Sequence, residues 1–305
     1  MARADVVSHR GLTSSSQSGF EQVNVSGPHG GIPVRWYQPA ASDVFSPVLV
    51  WLHGGGFFTG GLEQPESHDV ALGLAGRGIT VVTVDYRLVP LPVLAQVGAL
   101  AGRAAVRHPL PSDDVAAVVR WARERAGGPV FLGGASAGAC LAATATLRMT
   151  DEGSPVLGTV LAYGFFHAAL PVPPAELRSR LTGHRRLTHA PFLLDAVNRN
   201  YAGSATALSE RLAFPGGHDL SGFPPALMID ADRDVMRSSA ERFAAELRAS
   251  GTDVTRRVLP ETHHAFLNRP ALPEFATAID LIAGWTARHA DEGQGSHREK
   301  EEEPG

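Results

Sequence analysis

A single cysteine, Cys140, stands in 305 residues, so no disulfide framework can brace the fold within one chain. Charge of one sign is scarce as well: 27 Lys and Arg against 31 Asp and Glu leave a net charge of −4, with an isoelectric point near 6.3. That balance carries no electrostatic footprint for nucleic acid or an anionic membrane as partner. No run approaches the roughly 18 apolar residues that a spanning helix needs. The opening 1–20, with Arg3 and Arg10, has no apolar signal stretch, so a soluble, cytoplasmic protein is the expectation. The thirteen histidines form no H-E-x-x-H and no zinc-spaced cluster. The glycines form neither a P-loop nor a dinucleotide fingerprint, so neither metal nor cofactor is expected.

What is present is an ordinary globular composition, 44% hydrophobic and 19% charged. Segments 1–20 and 289–305 lack an apolar period, the first holding Thr13–Ser18 and the second a charge run from His297 to Glu303; a mobile start and a disordered charged tail are expected. Between them, eight segments read as strands: Glu21–Ser26, Ile32–Gln38, Val48–Leu52, Ile79–Asp85, Val130–Leu132, Leu157–Tyr163, Ala226–Asp230 and Val254–Leu259. Most from the third onward are continuous apolar runs, the pattern of parallel strands covered on both faces. The first two flank Gly27–Gly31, a turn cluster suited to an antiparallel edge hairpin. Val115, Val118, Val119 and Ala122 share one helical stripe, and Ala240, Phe243, Ala244 and Leu247 another. Strand and helix alternate, which predicts an α/β architecture with a mostly parallel eight-stranded sheet over 21–288. Segment 165–222, with Pro171, Pro173 and Pro174, breaks the alternation and reads as a small inserted cap.

Gly134-Ala135-Ser136-Ala137-Gly138 fits G-x-S-x-G, follows an apolar strand and precedes an Ala-rich run that can continue as a helix, the context of a nucleophile elbow. Alone it is weak, since about 0.2 matches arise by chance in such a composition. His53-Gly54-Gly55-Gly56-Phe57 is sharper, at about 0.02 chance matches, and follows the run Val48–Leu52. Glycine backbone there can bring N–H groups close to a developing oxyanion, with the Ala137 N–H as a further donor. A serine nucleophile needs a base, and the base a carboxylate. Candidates follow the last two strands: Asp230, Asp232 or Asp234, then His263 or His264. Asp234 also reads as a helix N-cap. Cys140 reads as a small core residue.

Together with Asp85-Tyr86-Arg87-Leu88, Asp234-Val235-Met236-Arg237 and His264-Ala265-Phe266, these motifs resemble the hormone-sensitive-lipase-like esterases, the bacterial family IV of the α/β-hydrolases, over about 21–288. The resemblance implies an α/β-hydrolase fold and a serine carboxylesterase acting on short- to medium-chain esters. It favours Ser136, Asp234 and His264 as catalytic residues. It also implies Gly55, Gly56 and Ala137 as oxyanion donors, with His53 shaping the loop. The chain departs from the family pattern at Ala135, where an acidic residue is common, and at Ala139, where glycine is. An insertion of about 16 residues, Leu91–Arg107, precedes His108-Pro109-Leu110-Pro111, and the family's N-terminal cap helices lack a counterpart, which predicts a less covered pocket. An amidase, such as an aryl formamide hydrolase, and a non-catalytic small-ligand-binding protein are the competing readings. A homodimer is one assembly open to such a chain.

Overall fold

The computed structural model describes residues 19–40, 46–91, 106–181 and 191–301, with backbone alone for 191 and 293–301. Eight strands form one sheet in the order β1-β2-β4-β3-β5-β6-β7-β8. They are β1 (Phe20–Gly27), β2 (Gly30–Tyr37), β3 (Val48–Leu52), β4 (Thr80–Val84), β5 (Phe131–Ala135), β6 (Thr159–Ala162), β7 (Ala226–Arg233) and β8 (Val254–His263). All eight expected strands are present. The edge hairpin β1–β2 closes with Gly27 opposite Gly30, β2 runs antiparallel to β4, and every pairing from β4 to β8 is parallel.

The continuous apolar runs are explained by burial on both faces. In β3, Val48, Val50 and Leu52 enter one core, while Leu49 and Trp51 enter the other. The first core is closed by α2 (Leu110–Ala126), α3 (Ala137–Asp151) and α7 (Arg237–Ala249), whose expected stripes are fully buried. The second is closed by α1 (His68–Ala75) and α8 (Pro273–Glu301). Helices therefore cover both faces, and the loops at the C-terminal ends of the strands are left to build a site.

Among the described residues, three helices lie between β6 and β7: α4 (Ala175–Arg180), α5 (Pro191–Ala202) and α6 (Ala205–Leu208). Tyr201 of α5 stacks on Phe57 at 4.0 Å, and Phe165 and Phe214 meet the same ring edge-on. Arg180 of α4 donates to both oxygens of Asp232 at the end of β7, at 2.9 and 2.8 Å.

One expectation is corrected: the segment from 289, read as a disordered tail, is helical as far as Glu301. A helix already nucleated by packed residues such as Ile279, Ile282 and Trp285 needs no apolar period to propagate. Its extension is rich in Glu, Lys and Arg, all good helix formers. The expected mobile start, apart from its last two residues, and the Leu91–Arg107 insertion, apart from Leu91, Val106 and Arg107, lie outside the described residues.

Candidate active site

The sheet order reverses direction around β3: the chain passes from β3 outward to β4, then returns to place β5 on the other side. A crevice opens at such a switch point. The loops leaving β3 and β5 flank it, and these are the glycine loop and the serine turn.

Ser136 has φ 54° and ψ −118°, a left-handed conformation that costs on the order of 1–3 kcal/mol for a residue with a side chain. The strain is held by its surroundings. The Ser136 N–H donates to Ala162 O at 2.9 Å, and α3 starts immediately at Ala137. Gly138 passes so close to the carbonyls of Leu52 and His53 that a Cβ would run into both. The tight turn thus follows from G-x-S-x-G in space as well as in pattern.

Ser136 Oγ lies 2.9 Å from His264 Nε2, and His264 Nδ1 lies 2.6 Å from Asp234 Oδ2. A carboxylate accepts only, so Nδ1 carries the proton and Nε2 accepts from the serine hydroxyl. Asp234 is fixed by the Met236 N–H, which donates to Oδ1 at 3.0 Å. This is the turn role that made it look like a helix cap. The other two aspartates are engaged elsewhere. Asp230 pairs with Arg256 at 2.6 Å, and Asp232 accepts from Arg180, Arg237 and the Glu261 N–H. His263 still belongs to β8, opposite Arg233, and its neighbour His264 turns to the serine.

The glycine loop is shaped by His53. Burial lowers its pKa to about 4, so the ring is neutral. It stacks on Tyr86 at 4.4 Å and donates from Nδ1 to Gly54 O at 2.7 Å, while the Tyr86 hydroxyl donates to His53 O. Gly55, at φ 115°, sits where a Cβ would collide with Thr59 O. Its carbonyl accepts from Phe58 and Thr59 at 3.2 and 3.1 Å. Among the described residues, no hydrogen bond takes the N–H of Gly55, Gly56 or Ala137.

Sequence reasoning missed Glu66 and Tyr163. Glu66 is 1% exposed, although it lies in a polar run, Glu63-Gln64-Pro65-Glu66-Ser67, that reads as a surface loop. It accepts the Gly54 N–H at 2.6 Å and the Tyr163 hydroxyl at 2.5 Å. No local signal reports such burial, because both partners are distant in the chain. Among the described residues, no cluster of His, Cys, Asp and Glu could hold a metal ion, and no helix is long and apolar enough to cross a membrane.

A family profile described as alpha/beta hydrolase fold matches residues 49–268. Carboxylesterase NlhH of Mycobacterium tuberculosis is 33% identical over 280 residues, covering 85% of this chain and 79% of its own. An esterase from the archaeon Pyrobaculum calidifontis superposes with a TM-score of 0.75 at 28% identity, covering 89% of this chain and 86% of its own. The thermostable carboxylesterase EstE1, cloned from a metagenomic library, gives 0.74 at 27% identity over 89% of each chain. With the glycine loop, the serine turn and these relatives in agreement, the chain belongs to the α/β-hydrolase-fold family, in its hormone-sensitive-lipase-like (family IV) branch.

Proposed function

We propose that the protein is a serine carboxylesterase that hydrolyses short- to medium-chain esters through an acyl-enzyme. Ser136 Oγ attacks the ester carbonyl carbon as His264 Nε2 takes its proton. Asp234 holds the His264 tautomer and stabilises the imidazolium that forms. The carbonyl oxygen, now negative, is received by the N–H groups of Gly55, Gly56 and Ala137, in a position where one lost donor costs about 3 kcal/mol of transition-state stabilisation. Collapse of the tetrahedral intermediate expels the alcohol, which leaves with the proton from His264. Water then enters with His264 again as base, and the carboxylic acid departs from Ser136.

The observation that carries this reading is the continuous Ser136–His264–Asp234 hydrogen-bond chain, at 2.9 and 2.6 Å, on a serine held in a strained turn. The described part of segment 165–222 acts as a small cap over the glycine loop, a reading supported by the packing of Tyr201 and Phe165 on Phe57. A cytoplasmic location suits a chain whose lone cysteine, Cys140, is buried and forms no disulfide.

Hydrolysis of p-nitrophenyl esters from acetate to laurate, beside Ser136→Ala, tests the proposal. Serine-dependent release with an optimum at short or medium chain is the expected result. Preference for a matched aryl amide moves the reading to an amidase. A folded protein with no release, whose Ser136 also fails to react with a fluorophosphonate, overturns the enzyme reading.

A further inference from the structure

Glu66 is a buried acid that the ester mechanism above does not use. Among the described residues, no Lys or Arg pairs with its carboxylate. Its contacts run to four separate parts of the site. Oε2 accepts the Gly54 N–H, and Oε1 accepts the Tyr163 hydroxyl. Its backbone carbonyl accepts from Trp51 Nε1 at 2.8 Å, and its N–H donates to Asn268 Oδ1 at 3.2 Å. The ends of β3 and β6, the glycine loop and the turn after His264 therefore meet at one residue.

Two of these contacts lead directly to the reacting groups. Gly54 is the first residue of the glycine run, and a Cβ built on it would fall 2.6 Å from Glu66 Oε2 and 3.1 Å from Ser136 Cβ. Carboxylate and serine thus crowd the same face of Gly54 and leave no room for a side chain there. Tyr163 sets its ring edge-on to His264, with centroids 5.1 Å apart and planes at 70°, and its own backbone is held at φ 35°. A buried acid without a cation is costly to keep, and sites of function are where such groups persist. Burial raises the Glu66 carboxyl above the usual carboxylate range, and its donors and the nearby His264 offset only part of that rise.

We propose that Glu66 is a positioning residue for ester hydrolysis: its carboxylate fixes the first glycine of the oxyanion loop and, through the Tyr163 hydroxyl, the seat of His264, so that oxyanion donors and base are aligned by one brace. The inference rests on the esterase reading. Displacing reacting groups by about 1 Å costs about a hundredfold in rate, with little effect on ground-state binding.

Steady-state kinetics on p-nitrophenyl butyrate test it. Glu66→Ala is expected to lower kcat about a hundredfold with KM held within about threefold, and Tyr163→Phe, which removes one arm of the brace, about tenfold. Glu66→Gln keeps an acceptor for Gly54 and an amide for Tyr163, and recovers about tenfold over Glu66→Ala. A folded Glu66→Ala or Tyr163→Phe with kcat within about twofold of the parent, a loss carried only in KM, or a Gln variant as slow as the Ala variant overturns the inference. If Glu66→Ala fails to fold, Tyr163→Phe decides by the same criteria. Failure of the parent protein itself to turn over esters or to label with fluorophosphonate overturns the esterase reading instead, which keeps the two failures distinct.

Discussion

Among the described residues, serine, histidine and carboxylate line up at similar distances in two places, and one of the two has the backbone setting of the proposed active site. Ser239 Oγ lies 2.8 Å from His167 Nδ1, and His167 Nε2 lies 3.2 Å from Glu246. Yet Ser239 is fully buried inside regular α7, and its oxygen already accepts the Phe166 N–H at 2.8 Å. Glu246 also holds the Gly217 N–H and Arg242. That constellation ties the loop after β6 to α7. Ser136, in contrast, stands in a strained turn at a strand end, 6% exposed, with unpaired backbone N–H groups beside it. What sets the proposed nucleophile apart is the backbone around the serine, since the triad distances alone do not separate the two.

The comparison breaks most sharply by truncation. Ser136→Ala and His264→Ala are each expected to lower ester turnover about 10⁶-fold. Ser239→Ala is expected to leave turnover within a few fold and to cost about 1–3 kcal/mol of stability in urea unfolding, because it strands the Phe166 N–H. Equal losses of turnover in the two serine variants would sink the distinction. Next in size, Asp234→Asn is expected to cost about 10⁴ in kcat by upsetting the His264 tautomer, whereas Asp230→Asn leaves kcat near the parent value. Gly55→Ala follows, with a loss of about 10²–10³ in kcat as the loop shifts to clear Thr59 O.

The smallest expected effect concerns acid stability. Burial lifts the Asp230 carboxyl from 3.8 to about 6, so the folded state binds its proton more readily than the unfolded state does. Its contribution is full below about pH 4 and is lost as pH rises through 6. His53, lowered from 6.5 to about 4, works the other way: its contribution is full above 6.5 and is lost as pH falls towards 4. Asp230→Asn removes the first and leaves the second. Stability should then fall more steeply between pH 6.5 and 4, read as urea midpoints across that window; an unchanged slope would show that Asp230 does not titrate there.

The parallel strands were legible because burial on both faces writes a continuous apolar run, as in Val48–Leu52. The serine and glycine turns were legible because tight backbone contacts demand glycine at Gly55 and Gly138. Choosing among three aspartates and two histidines needed more than the strand pattern: the family resemblance favoured Asp234 and His264, and the structure shows which side chains meet. Glu66 was invisible for the same reason, since partners 12 and 97 residues away set its burial. The helical backbone to Glu301 escaped because a charged stretch without an apolar period reads equally as helix and as coil.

The loops of the site leave strands β3, β5, β7 and β8, and Ser136 and His264 are 128 residues apart. During synthesis the proposed base, His264, therefore arrives last, with the final strand of the sheet. A nascent or truncated chain ending before Val254 holds the serine turn but lacks the proposed base, however well its earlier strands pair. On the proposed triad, ester turnover thus reports that the sheet is complete as far as its last strand.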